Sequence, residues 1–154
     1  MADTKITALA AKTTLTGNDE FPITDSAGGN ETKRIIWTNV IAALNALKIT
    51  DTFSSLIASV TNQDYKLVTK APFAGTITEV ITICVSGTAT FTVKVNTTAL
   101  GGTANSVSSV EQAQAHSTTN TFEAGDDIVI TASSNASCLR ATCTIKFTRG
   151  LGLA

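Results

Sequence analysis

Charge is scarce in this sequence: Asp, Glu, Lys and Arg supply 15% of its 154 residues, against about a quarter of an average domain. Helical exteriors draw heavily on Glu, Lys and Arg, so a mostly helical surface is excluded. Eleven basic residues against twelve acidic ones leave a net charge of −1. Such a balance provides no field to attract phosphate backbones or anionic lipids, and neither nucleic acid nor membrane is an expected partner. No apolar run approaches the roughly 18 residues of a membrane span, and Met1-Ala2-Asp3-Thr4-Lys5 lacks a signal core. Synthesis in a cytoplasm is therefore expected. Cysteine is limited to Cys84, Cys138 and Cys143, an odd count that favours buried free thiols over a disulfide framework. In one uninterrupted strand, Cys138 and Cys143 would face opposite sides.

Threonine, serine and apolar residues, the last at 43%, fill the space that charge leaves. β-Branched Thr suits a pleated, half-exposed surface, so a β body is expected. From Lys5 to Ile36 short apolar groups (Ile6 and Leu9, Phe21 and Ile23, Ile35 and Ile36) alternate with turn formers such as Gly17-Asn18-Asp19 and Gly28-Gly29-Asn30. This stretch has too few apolar residues for its own core and needs a partner surface, since isolated hairpins are marginal in water. Val40, Ile41, Leu44 and Leu47 then fall at helical spacing behind Thr38 or Asn39 as caps. Phe53, Leu56, Ile57 and Val60 repeat that spacing behind Asp51-Thr52, weakened by Ser54, Ser55 and Ser59, and read as a helical or coiled connector.

Beyond Asn62 the runs become strand-like: Tyr65 to Lys70, Thr76 to Val85, Thr88 to Val95, Val107 to Ala113, Asp127 to Ala132 and Cys138 to Thr148. Phe91, Val93 and Val95 alternate with polar residues, as do Cys143, Ile145 and Phe147, which places each trio on one face of an antiparallel sheet. Ser86-Gly87, Gly101-Gly102 and Gly125-Asp126 supply turns. The expected architecture is mainly β: an antiparallel, jelly-roll-like β-sandwich over residues 63–154. An extended anchoring segment with one or two short helices precedes it over residues 1–62.

Catalytic constellations are thin. His116 is the one histidine, in a polar stretch without a G-x-S-x-G elbow, and reads as a solvated loop residue with no catalytic role. The three cysteines and His116 match no zinc spacing. Asp19-Glu20 and Asp126-Asp127 lie beside glycines at turns, where Asp serves the backbone, and neither pair sits in a calcium loop. Gly28-Gly29 and Gly101-Gly102 lead into no phosphate-binding motif. No catalytic residue, metal or cofactor is expected. Trp37, the single tryptophan, can either anchor into another protein or pack on Val40 and Ile41, two readings that do not exclude each other.

Two stretches carry a family resemblance. Lys5-Ile6-Thr7-Ala8-Leu9, Asp19-Glu20-Phe21-Pro22-Ile23-Thr24-Asp25, Thr32-Lys33-Arg34-Ile35 and Trp37-Thr38-Asn39-Val40 resemble an N-terminal module of tailed-bacteriophage virion proteins. Ala71-Pro72-Phe73-Ala74-Gly75-Thr76-Ile77, Val93-Lys94-Val95-Asn96-Thr97-Thr98-Ala99-Leu100-Gly101-Gly102 and Phe122-Glu123-Ala124-Gly125-Asp126-Asp127-Ile128-Val129-Ile130 resemble phage fibre and head-decoration domains. The last of these is also similar to the Gly-Asp turn of trimeric jelly rolls of the tumour-necrosis-factor type. The resemblance implies a virion protein, a capsid decoration or cement subunit that assembles as a homotrimer. It would bind the major capsid protein or another virion protein through its N-terminal segment. Ile6, Leu9, Phe21, Ile23 and Trp37 are the candidate contacts. The alternative it implies is a short tail fibre or tail adaptor, with glycan binding on the host surface.

Overall fold

A computed structural model describes residues 18, 20–25 and 31–152 of the chain. They fall into two units that divide at Leu47.

The first unit holds β1 (Glu20–Asp25), β2 (Glu31–Ile36) and α1 (Trp37–Ala46). β1 and β2 pair antiparallel from Glu20↔Ile36 to Asp25↔Glu31. The helix follows β2 without a break, so Thr38 and Asn39 lie inside its first turn and Trp37 opens it. They are not the caps expected from sequence. Val40, Ile41 and Leu44 are half-buried while Thr38, Asn39, Ala42 and Ala43 are exposed, as the 3.6-residue period requires.

The second unit is mainly β and antiparallel. Its strands are β3 (Ile49–Ser59), β4 (Asp64–Val68), β5 (Gly75–Ile83), β6 (Ser86–Val95), β7 (Thr98–Ala99), β8 (Asn105–Val107), β9 (Gln112–Ala115), β10 (Thr121–Phe122) and β11 (Ile128–Arg149). Hydrogen bonding runs through all nine. The 22-residue β11 organises them, because its two halves have different neighbours. Its first half pairs with β4 on one side and β6 on the other, and its second half lies between β3 and β5. Between the halves the register to β6 shifts twice, after Ser133 and after Ala136. Ser134, Ser137 and Arg140 there take φ values of 48°, 53° and 52°. These bulges bend the strand, so that both arms send side chains into one buried cluster.

Three expectations are corrected here. Residues 53–60 form no helical connector: all but Val60 belong to β3, which pairs with β11 from Arg149↔Ile49 to Leu139↔Ser59. Phe53 and Ile57 turn inward, whereas Ser54 and Leu56 turn outward. The body thus begins at Leu47, and α1 is the one helix among the described residues. The run expected over 107–113 is broken into β8 and β9 by residues 108–111, where the Ser108 hydroxyl bonds to both the N–H and the carbonyl of Val110. The runs expected over 127–132 and 138–148 are one bent strand. That bend also places Cys138 and Cys143 on the same, buried side, against the strict alternation of an unbroken strand.

The core is densest around four rings. Phe53 stacks on Phe147 with centroids 4.3 Å apart, Phe73 lies 5.6 Å from Phe147, and Phe122 meets Phe147 edge-on at 5.6 Å. Such pairs add to plain burial through their quadrupoles. Gly75 opens β5 against this cluster, and a Cβ there would stand 2.6 Å from the Phe122 ring. The close approach requires glycine.

Candidate interaction face

The inner faces of both arms are filled, so the chemistry open to a partner lies on the outside. Across β3, β11, β5 and β9 the register aligns outward side chains in rows. Leu56, Thr142 and Ile83 form one row. Ser54, Thr144, Ile81 and Ala113 form the next, and Thr52, Lys146, Glu79 and Ala115 the third. Val85 lies exposed just past the end of β5, and its N–H bonds to the Leu139 carbonyl at 3.1 Å. Leu56, Ile83, Val85 and Leu139 remain 60%, 37%, 67% and 45% exposed. Leu56 and Ile83 thus share one row of this face, and Val85 stands exposed just beyond Ile83. Scattered exposed hydrophobics need no explanation; a contiguous group does.

Charge on the face is sparse, with Arg140 exposed on β11 beside Leu139. Within its three rows the charged residues are Lys146 and Glu79, and they neutralise each other at 2.6 Å. The Ser54 and Thr144 hydroxyls bond to each other at 2.9 Å. A partner covering the face would strip water from few groups that lack an internal bond, so burial there is dominated by apolar gain.

The contacts expected from sequence lie elsewhere. Ile6 and Leu9 are outside the described residues. Phe21 and Ile23 stand in β1 opposite Ile35 and Lys33. Trp37 is the first, half-buried residue of α1. Thus Phe21, Ile23 and Trp37 share one unit, while the exposed apolar group on the body went unforeseen. Its one sequence signal was Leu56 beside three serines, which the helical spacing of Phe53, Leu56, Ile57 and Val60 disguised.

His116 is buried, not solvated as expected. Its Nδ1 lies 2.8 Å from the Gly101 carbonyl oxygen, an acceptor. Nε2 faces Asn105 Oδ1 at 3.3 Å, and Asn105 Nδ2 donates to the Val80 carbonyl at 3.1 Å. Asn120 Nδ2 donates to the carbonyls of Ile77 and His116. The ring's partners are a carbonyl and an amide; it ties the loop after β7 to β8 and supplies no activated nucleophile.

Asp126 and Asp127 serve the turn before β11. Asp126 accepts from the Glu123 N–H at 2.7 Å and from Asn96 Nδ2 at 2.8 Å, and these bonds hold its pKa below the usual carboxylate value. Asp127 accepts from Lys66 Nζ at 2.7 Å and from the Lys70 N–H at 3.0 Å, with the same effect. Among the described residues no three His, Cys, Asp or Glu side chains converge as metal ligands. Two open surface hollows, of about 220 and 320 Å³, are lined respectively by Lys48, Thr121, Glu123 and Arg149 and by Asp64, Lys66, Asn96 and Asp127.

No protein-family model and no curated protein matches this sequence.

Proposed function

We propose that the protein is a structural subunit of a tailed-bacteriophage particle, a capsid decoration or cement protein. In this reading its N-terminal segment binds the major capsid protein or another virion protein, and its body associates with copies of itself as a trimer. The phage assignment is supported by the resemblance of residues 5–40 and of the body's Gly-Asp turn. From the structure, the supporting observation is the sparsely charged outer face on which Leu56 and Ile83 share a row, with Val85 exposed just beyond it. An assembling protein uses such a face, and a catalyst of the common hydrolytic type needs a constellation that His116 does not form.

The mechanism is thermodynamic. Each subunit buries modest apolar area, and symmetric repetition over a shell turns weak contacts into lasting attachment without a chemical step. Ile6, Leu9, Phe21, Ile23 and Trp37 remain the contacts proposed for the particle, and the virion is the proposed location. The fibre reading has less behind it, because glycan sites present exposed rings and Phe53, Phe73, Phe122 and Phe147 stack on one another in the body. The deciding experiment is to image particles and to heat them with and without the protein. Copies at lattice stoichiometry and faster heat inactivation of the depleted particle are expected. A few copies at one vertex, with unchanged inactivation, would replace cement by fibre or adaptor.

A further inference from the structure

Cys84 and Cys138 lie at the two sides of the close contact between the β5–β6 junction and the bend of β11. Gly87, at φ 76°, passes so near Ser137 that a Cβ would collide with the Ser137 carbonyl. The Val85 N–H bonds to the Leu139 carbonyl at 3.1 Å, so the residues just after each cysteine are tied together. Cys84 Sγ reaches back to the Gly87 carbonyl at 3.4 Å. Cys138 directly follows Ser137 and is buried in the same cluster as Cys84, and burial, with the Cys84 thiol as a neighbour, pushes its pKa up to about 11. Cys143 lies farther along β11, between Ser55 and Thr82. Its thiol is raised to about 12 by burial. Neither Cys84 nor Cys138 is needed by the outer face or by the polar bonds around His116.

We propose that Cys84 and Cys138 form a latent disulfide site, reduced in a thiol-rich cytoplasm and closed by a low-molecular-weight disulfide once the protein leaves it. Cys84 attacks first, because it sits just past the end of β5 and is the less buried of the two. Its thiolate displaces one small thiol from the disulfide and forms a mixed disulfide. The Cys138 thiolate then attacks the Cys84 sulfur and releases the second small thiol. Two protein S–H groups are oxidised to one S–S bond, the small disulfide is reduced to two thiols, and the two protons end on those thiols. Access comes from local opening at the bend, where the ladder to β6 is already interrupted at Ser133 and Ala136. The new bond would lock the β5–β6 junction to the bend, next to the Val85–Leu139 backbone bond.

Trypsin separates the three cysteines: Cys84 falls in residues 71–94, Cys138 in 95–140 and Cys143 in 141–146. The folded full chain would be treated with oxidised glutathione and mapped without reduction, both in buffer and in denaturant below the unfolding transition. The expected product joins 71–94 to 95–140 within one chain, leaves Cys143 free and is split by dithiothreitol. Its Tm should rise on the order of 10 °C, as a long closed loop constrains the unfolded state. Cys143→Ser should give the same product. Glutathione left on single cysteines, a link to 141–146, a link between chains, or three free thiols under both conditions would each overturn the proposal. The map of the unaltered chain decides the matter even if Cys84→Ser or Cys138→Ser fails to fold.

Discussion

Asp126 and Asp127 show how much a single turn asks of its side chains. Their carboxylates accept from Glu123, Asn96, Lys66 and Lys70, and both pKa values are lowered in the fold. A lowered pKa contributes stability that is present above the unfolded value of about 3.9 and is lost as pH falls through the folded one. The Tm should therefore fall as pH drops below about 4, and Asp126→Asn should show both a lower Tm at pH 7 and a shallower acid slope. Thermal scans across pH check this; parallel slopes would remove Asp126 from the account. Phe147 is the corresponding apolar case. It is fully buried at the centre of the ring cluster, and Phe147→Ala should cost about 3–5 kcal/mol in denaturant unfolding. Its inward position was legible from the alternation of Cys143, Ile145 and Phe147. The burial of His116 was not, because its partners Gly101 and Asn105 meet it only after β7, β8 and β9 have been brought together.

At the scale of elements, what the sequence disclosed was period, and what it hid was exceptions to period. β5, β6 and the second half of β11 alternate regularly and were readable. β3 was not, because an outward Leu56 next to an inward Ile57 produces the i, i+3, i+4, i+7 spacing of a helix. The same outward leucine that concealed the strand belongs to the candidate face. Bulges had the opposite effect on β11, since Ser134, Ser137 and Arg140 split one strand into two apparent runs. The placement of β3 has a direct consequence for truncation. A chain starting at Leu47 keeps β3 and the unit that contains it, and should unfold cooperatively with near-native strand content. A chain starting at Gln63, just beyond the connector suggested by sequence, keeps β4 but loses β3, the whole partner of the second half of β11 on one side, and exposes Phe147 and Ile145. It should aggregate or remain unfolded. Circular dichroism and denaturant melts of the two truncations distinguish strand from connector.

For the whole molecule the decisive quantity is what the outer face does to association. A fully buried Leu or Val side chain contributes roughly 1.5–3 kcal/mol, so four partly exposed ones amount to several kcal/mol. Association itself costs about 4–15 kcal/mol in lost freedom. One such contact is weak by itself; a closed ring in which every subunit uses the face is the economical way to make it hold. Placing charge on the face tests this without disturbing the core, because Leu56 and Val85 point outward at 60% and 67% exposure. The double variant Leu56→Lys, Val85→Lys should keep the Tm of the isolated body within a few degrees. If the proposed trimer closes through this face, the variant should shift the full chain to monomer in light scattering, since lysines buried between copies would lose hydration without a partner. A trimer that survives both lysines would move the self-contact off this face, and a monomeric parent chain would remove the trimer from the proposal while leaving the face free for another virion protein.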